Sequence, residues 1–479
     1  MLSKHKVLIA ALAIFLLQSC TKNIDSQNKE TKKPTSAPPG ALFANAVRNL
    51  SDGLANASVN TNVWRFTVKH WAMTTYQDEA RYNFTTRNIP QAWWSRMYKD
   101  VLADMNDASK LVKANADIVP AVKTNQLAIL DVMQVYTYGI LVNTFGNIPY
   151  SEALDYTNTR PKYDDAKTVY ADLMKRLNDD ISKMSTASGA GFTATEDLLC
   201  GASMAKWIKF ANSLRLKMGM TLADVDDATA KTAVEASSAA ALASPADNVS
   251  LVYLAGSPNT NPLYTDIVLG ARGDYVAATD LMTPLLSMSD PRMSQFFAKN
   301  NDGIYVGGTV GSNNTLSVTS QPSTKVSAAT APSPFMDYSE IEFLRAEAIE
   351  RGYNVAGTAK AHYDSAIAAS IKAWGGTDAD ATTYLARPDV AYATATGDWH
   401  QKIGFQKWIA LYNRPYDGWL ELRRLDYPKL TAPVSAVSGF PNRFSYPTLE
   451  QQVNLDNYTS ASSAIGGDKV ETKLFWDKF

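Results

Sequence analysis

One long segment of this sequence is apolar on nearly every side, which limits where it can lie in a folded chain. Residues Asn125–Phe145 carry a single charged side chain, Asp131, and a few amides. A helix that is apolar all round is stable only where its whole surface is enclosed. The segment therefore predicts a buried helix inside a globular protein rather than a helix that spans a membrane.

Amphipathic segments flank this buried helix on both sides. Apolar residues recur at steps of three and four within 88–112, 164–184 and 205–222, which is the period of a helix with one buried face. From residue 41 onward the chain is therefore predicted to be mainly α-helical.

A partial repeat appears in the C-terminal half. Ala359, Tyr363 and Ala366 have the spacing of the second helix of a tetratricopeptide repeat, and Phe343 stands where the first helix has its large residue. Glu347 occupies a position that the repeat usually gives to glycine. The pattern predicts tetratricopeptide-like helix pairs without a strict repeat.

Two segments lack any helical pattern. Residues 303–335 are rich in Gly, Ser and Thr, and residues 425–454 contain several prolines. Loops of this length in a compact domain are commonly functional or disordered. We expect both to form a less regular part of a single domain that covers residues 41–479.

The N-terminus has the pattern of an export signal. Basic residues precede an eleven-residue apolar run, Val7–Leu17, which is too short to span a bilayer, where about 20 residues are needed. The sequence Leu17-Gln18-Ser19-Cys20 resembles the bacterial lipobox, although Gln18 departs from its usual small residue. We expect a signal peptide over 1–19 and a lipid on Cys20; the alternative is an ordinary signal peptide that leaves a free thiol.

Residues 20–40 are polar and rich in Lys and Pro, so they predict a flexible tether between the lipid and the domain. The other cysteine, Cys200, has no partner if Cys20 is acylated. It is predicted to be a buried small apolar residue.

Composition and motifs argue against several functions. The net charge of −1 lacks the basic excess of a nucleic-acid-binding protein. His70, His362 and His400 have no metal-ligand spacing, and neither a nucleophile elbow nor a phosphate loop is present. No catalytic residue, metal or cofactor is therefore predicted.

Carboxylates on the predicted helices keep one catalytic alternative open. Glu342, Glu347 and Glu350 lie on one helix, and Asp179 and Asp180 lie on another. We expect them on solvated helix faces. A glycosidase needs only two carboxyl groups across a cleft, so a glycan-cleaving enzyme remains an alternative.

An aromatic cluster within residues 71–84 is the main candidate for binding. Trp71, Tyr76, Arg81 and Tyr82 combine flat rings with hydrogen-bonding groups, which suits a sugar ring or a peptide. The alternative is that Trp71 and Tyr82 belong to the core.

Several stretches in order resemble the SusD/RagB family of Bacteroidetes, in particular its second SusD-like subfamily. They are FGNIPYSEAL (Phe145–Leu154) followed by Tyr163-Asp164, KWIKFANSLRLKM (Lys206–Met218), Asp290-Pro291-Arg292, SEIEFLRAEAIERG (Ser339–Gly352), QKWIALYNRPYDGWLELRRLDYP (Gln406–Pro428) and PNRFSYPTLEQQVN (Pro441–Asn454). Most residues of these stretches are expected to be architectural; Trp408, Trp419, Arg423 and Arg424 are predicted core anchors and ion-pair partners.

The resemblance implies a mainly α fold in which tetratricopeptide-like helix pairs support a loop-rich ligand-binding part. It also implies a lipid-anchored outer-membrane protein that is exposed at the cell surface. Such a protein binds an oligosaccharide or other nutrient and passes it to a partner SusC-like TonB-dependent β-barrel transporter, without catalysis. A scaffold whose helix pairs bind only protein is the remaining alternative. Lys217 stands where the family usually has arginine, so an ion pair is expected to be missing there.

Overall fold

The computed structural model describes residues 37–57, 62–187 and 189–479. The predicted signal peptide, Cys20 and most of the predicted tether lie outside the described residues. From Pro39 to Phe479 the chain forms one compact unit, which begins two residues before the predicted boundary.

The described part of the chain is mostly helical, as predicted. Its α-helices, in chain order, are α1 (Pro39–Ala55), α2 (Trp64–Thr67), α3 (Ile89–Ser95), α4 (Ala103–Ala114), α5 (Pro120–Phe145), α6 (Ala166–Lys183), α7 (Met204–Thr221), α8 (Asp227–Ser237), α9 (Thr279–Ser287), α10 (Met293–Phe296), α11 (Tyr338–Glu350), α12 (Ala359–Ala373), α13 (Asp378–Leu385), α14 (Trp399–Ala410), α15 (Pro415–Leu425), α16 (Thr448–Val453) and α17 (Leu455–Ala464). A π-helical stretch, Arg96–Leu102, joins α3 to α4.

Four short strands form two antiparallel pairs. They are β1 (Trp71–Met73), β2 (Val249–Leu251), β3 (Tyr275–Ala277) and β4 (Ser333–Met336). Strand β1 pairs with β3, with Trp71 opposite Ala277, and β2 pairs with β4. These pairs tie distant loops to the helical part of the protein.

The long helices pack as neighbouring pairs. Helix α5 packs on α6, α7 on α8, α11 on α12 and α14 on α15, while α6 contacts α7, α7 contacts α11, and α11 contacts α14. Side chains of the predicted repeat lie inside the third pair, where the Phe343 and Tyr363 rings meet edge to face at 6.2 Å. The tetratricopeptide-like pairing predicted from the sequence is confirmed.

Helix α5 has the length and hydropathy of a membrane span, but 83% of its most apolar 18-residue window is buried inside the protein. Its Tyr136 ring packs between Phe210 and Phe335 at 6.0 and 5.5 Å. The prediction of a buried core helix is confirmed.

Buried charges connect the pairs to one another. Arg424 of α15 lies 2.5 Å from Glu347 of α11, and both side chains are fully buried. Lys217 of α7 contacts Glu340 at 2.8 Å and also pairs with Asp417 of α15. The ion pair expected to be missing at Lys217 is therefore present, because the lysine ammonium reaches both carboxylates.

This arrangement also explains why the repeat pattern is only partial. Glu347 replaces the usual glycine because its carboxylate is the partner of Arg424. Glu342 is likewise buried and contacts Arg345 at 2.5 Å and His362 at 2.8 Å. The expectation that these carboxylates lie on solvated faces is wrong for Glu342 and Glu347, and for Asp180, which is also buried.

We expect Arg424→Met to lower the free energy of unfolding by about 3–5 kcal/mol, because the buried Glu347 and Glu421 lose their shared guanidinium and keep only Arg351 and Lys407. Urea denaturation followed by circular dichroism measures this change. Lys175→Met removes the exposed pair with Asp179 and is the matched control, for which no measurable change is expected. Equal effects of the two variants would contradict a structural role for the buried pair.

His362 adds stability that depends on pH. Its hydrogen bond to Glu342 raises the pKa of His362 above the ordinary value. Burial lowers this pKa, whereas the hydrogen bond to the Ala356 carbonyl raises it further. Protonation of His362 therefore stabilises the folded state. This contribution is fully present below the unfolded-state pKa of about 6.5, and it disappears as pH rises through the folded-state pKa. The stability lost in His362→Gln should be larger near pH 5.5 than near pH 9; a constant loss would contradict the assignment.

Candidate functional site

An exposed tyrosine lies where three loops meet beside the β1–β3 pair. The Tyr76 side chain is 54% exposed, although it follows a fully buried strand. The guanidinium carbons of Arg87 and Arg272 lie 5.5 and 6.0 Å from the centre of its ring. We call Tyr76, Arg81, Arg87, Arg272 and Asn313 the Tyr76 surface.

The backbone of Tyr76 has an unusual conformation. Its φ of +57° lies in the left-handed region, which bulky side chains seldom adopt and which costs of order 1–3 kcal/mol. Neighbouring contacts hold this conformation: the Thr75 hydroxyl donates to Asp274 at 3.1 Å, and Gln77 donates to the Met73 carbonyl at 3.1 Å. The surrounding structure thus fixes an exposed ring in a strained position, which is common at binding sites.

The predicted loop 303–335 forms one side of this surface. Asn314 donates to the Met73 carbonyl at 2.7 Å, and Gln77 donates to Asn313 at 3.3 Å. Arg81 donates from Nε to the Gly311 carbonyl at 2.8 Å. The other guanidinium nitrogens of Arg81 have no partner in the described part of the chain, so they are available to a ligand.

The second predicted loop, 425–454, closes against the first. Val434 donates from its backbone N–H to the Val310 carbonyl at 3.0 Å, and Val437 donates to the Arg81 carbonyl at 2.9 Å. Gly311 has φ +87°, and any Cβ there would collide with the Val434 carbonyl. Glycine is required because the two loops approach so closely.

Two arginines of the surface are already paired. Arg87 contacts Glu79 at 2.5 Å, and Arg272 contacts Asp274 at 2.7 Å and Asp266 at 3.4 Å. Burial raises the pKa of Glu79 despite the guanidinium beside it. Because these two cations have carboxylate partners, Arg81 is the one arginine of the Tyr76 surface without a carboxylate partner in the described part of the chain.

Two members of the predicted cluster belong to the core. Trp71 is fully buried; its indole donates to the Tyr412 hydroxyl at 2.9 Å, and the Arg65 guanidinium carbon lies 4.6 Å from the ring. Tyr82 is 3% exposed and meets Phe440 edge to face. Their burial shows that the prediction of ligand stacking is wrong for these two rings. Ligand binding by Tyr76 and Arg81 stays a prediction.

The histidines have structural surroundings. His70 is fully buried, and burial together with Arg65 lowers its pKa to about 3, so it is neutral. His362 pairs with Glu342, and His400 stacks on Trp399 with ring centres 3.4 Å apart. Among residues 37–57, 62–187 and 189–479, no group of three His, Cys, Asp or Glu side chains could hold a metal ion. Cys200 is buried and unpaired, as predicted.

Sequence reasoning missed part of the surface. Arg272 and Asn313 are about two hundred residues from Tyr76, and only the β1–β3 pair and the loop contacts bring them together. The composition of loop 303–335 marked it as a functional candidate, but nothing in the sequence indicated that this loop lies beside Tyr76. Arg87 lies three residues beyond the aromatic cluster predicted within residues 71–84, so it was not among the candidates.

The matched family model and solved structures agree with this fold. The family model for SusD-like proteins described as "Starch-binding associating with outer membrane" matches residues 30–447. The chain therefore belongs to the SusD-like family, in its second subfamily. Proteins of this family bind carbohydrate and are not catalytic, which confirms the prediction that the chain is not an enzyme.

Solved relatives share the whole fold at low identity. A chitin-binding SusD homolog from Flavobacterium johnsoniae is 22% identical, with 91% of this chain and 98% of that chain covered and a TM-score of 0.76. A SusD-like protein from Bacteroides thetaiotaomicron is 23% identical, with 92% and 99% covered and a TM-score of 0.78. A search of curated proteins finds no match.

We expect Trp71→Ala to lower the free energy of unfolding by about 3–5 kcal/mol, because it leaves a cavity and removes the indole donor to the Tyr412 hydroxyl. Thermal and urea denaturation measure the change. Trp71→Phe keeps most of the packing and should lose less. Full stability in Trp71→Ala would contradict the core assignment.

Proposed function

We propose that the Tyr76 surface binds a neutral oligosaccharide, which the protein delivers to a SusC-like TonB-dependent transporter in the outer membrane. The observation that carries this proposal is the exposed Tyr76 ring, held at positive φ between polar side chains from three separate loops. Family membership supports carbohydrate as the ligand class.

The chemistry of the surface suits a sugar. A pyranose presents C–H groups on its faces and hydroxyl groups around its edge, so an aromatic face together with nearby donors and acceptors recognises both parts. Tyr76 supplies the ring, Arg81 supplies free N–H donors, and Asn313 supplies an amide. The charges of Arg87 and Arg272 are already compensated by carboxylates, so Arg81 is the arginine of this surface that remains free to donate to a sugar hydroxyl.

Tyr76→Ala should weaken oligosaccharide binding by about tenfold, since the stacking surface is removed. Isothermal titration with chito- and malto-oligosaccharides tests this, because a relative is named for chitin and the family model for starch. Tyr156→Ala is the matched control: its ring is 67% exposed but lies in a different groove, beside Trp94 and Tyr98.

The two tyrosine variants also separate the sites. A loss in Tyr156→Ala with unchanged binding in Tyr76→Ala would contradict the Tyr76 surface and move the site to the other groove. Absence of saturable binding by every neutral glycan would contradict the proposed ligand class.

Membrane attachment through Cys20 and the transporter partner complete the proposal. The family description, which names association with the outer membrane, supports the location, and the lipobox-like sequence supports a lipid on Cys20. Two or more acyl chains hold a protein stably on a membrane.

We expect Cys20→Ala to move the protein from the outer-membrane fraction to a soluble fraction, as measured by fractionation and mass spectrometry of the lipidated N-terminus. Gentle solubilisation of the wild-type protein should recover a large β-barrel transporter in stoichiometric amounts. Recovery of the protein alone, under conditions that preserve barrel complexes, would contradict the delivery role.

A further inference from the structure

A second cavity lies among the helix pairs and shares no residue with the Tyr76 surface. It has a volume of about 340 Å³ and lies between the β2–β4 pair, the N-terminal end of α11 and the C-terminal ends of α12 and α14. The side chains that matter here are Asn248, Asp337, Trp374, Asn413 and Arg414. We call this space the α12 cavity.

The α12 cavity has an apolar lining and an open rim. Val326, Ala331 and Ala369 are buried at its base, while Pro332 and Ala373 are exposed at its edge. Trp374 is half-buried in the wall, where its ring meets Phe296 edge to face at 4.7 Å. An aromatic ring and small apolar side chains therefore form one continuous surface that is open to solvent.

Two hydrogen-bond donors on the wall are unused. Asn248 accepts from the Tyr338 N–H at 2.8 Å through its side-chain oxygen, but its amide NH₂ has no acceptor in the described part of the chain. The indole N–H of Trp374 also has no acceptor among the described residues. Polar groups beside an apolar surface are normally satisfied by water or by a ligand.

One carboxylate complements these donors. Asp337 accepts from the Glu340 N–H at 2.8 Å with one oxygen, and its other oxygen is 3.4 Å from Arg414. Its side chain is still 22% exposed, so it can accept a further hydrogen bond. Arg414 compensates the charge of Asp337, so this carboxylate has no strong preference for a cation.

We propose that the α12 cavity is a second carbohydrate site, which takes one neutral sugar ring. The volume is at the lower end of the range of about 300–1,000 Å³ for small-molecule sites, so it suits one ring rather than a chain. Trp374 packs on the C–H face of the ring, Asn248 donates to its oxygens, and Asp337 accepts from a hydroxyl. The cavity does not depend on binding at the Tyr76 surface.

The test uses the Tyr76→Ala protein, so that the other surface cannot produce the signal. In ¹⁵N-labelled protein, the indole N–H resonance of Trp374 is identified by its disappearance in Trp374→Phe. Titration with N-acetyl-D-glucosamine and with D-glucose should shift this resonance saturably. Asn248→Asp keeps the acceptor for the Tyr338 N–H but removes the amide donors, and should weaken binding by roughly three- to tenfold.

Two results would overturn the proposal. One is a Trp374 resonance that neither sugar shifts saturably. The other is a saturable shift of unchanged affinity in Asn248→Asp, which would place the sugar elsewhere. Thermal unfolding of each variant confirms that it is folded. Because the proposed function is tested by glycan titration of the protein with Tyr76 intact, failure at either site is distinguishable from failure at the other.

Discussion

The helix pairs of this protein depend on a buried network of ion pairs centred on α15. Arg424 reaches Glu347 on α11, Glu421 contacts Lys407 of α14 at 2.8 Å, and Asp417 pairs with Lys217 of α7. Unpaired charge is very costly away from water, so these helices can only pack in the rotation and register that bring the partners together. One short helix thereby fixes the positions of three others.

The same helix also connects the array to the irregular part of the protein. Trp419 of α15 stacks on Trp64 of α2 with ring centres 4.2 Å apart, and its indole donates to the Pro441 carbonyl at 2.7 Å. The loops that form the Tyr76 surface are therefore attached to a rigid support. Binding residues on loops that a rigid scaffold positions are a common solution, because the loops can vary while the core stays fixed.

Sequence patterns predicted the helices well because burial imposes a period on apolar residues. Asn125–Phe145 and the segments before and after it became α3 to α7 with small differences at their ends. The same reasoning could not separate Trp71 from Tyr76. Strand β1 has three residues, all of them buried, so no alternation shows which ring faces solvent. Contacts such as Gln77 with Asn313 join residues too far apart for any local pattern.

The near contact of Gly311 with the Val434 carbonyl has a consequence for how this surface can diverge among relatives. The two loops interlock at one residue, so a change of length or conformation in either one forces a matching change in the other. Evolution, or an engineer who grafts a new specificity, must exchange them together. The smallest transferable unit of recognition is thus a pair of loops separated by about ninety residues of mainly helical chain.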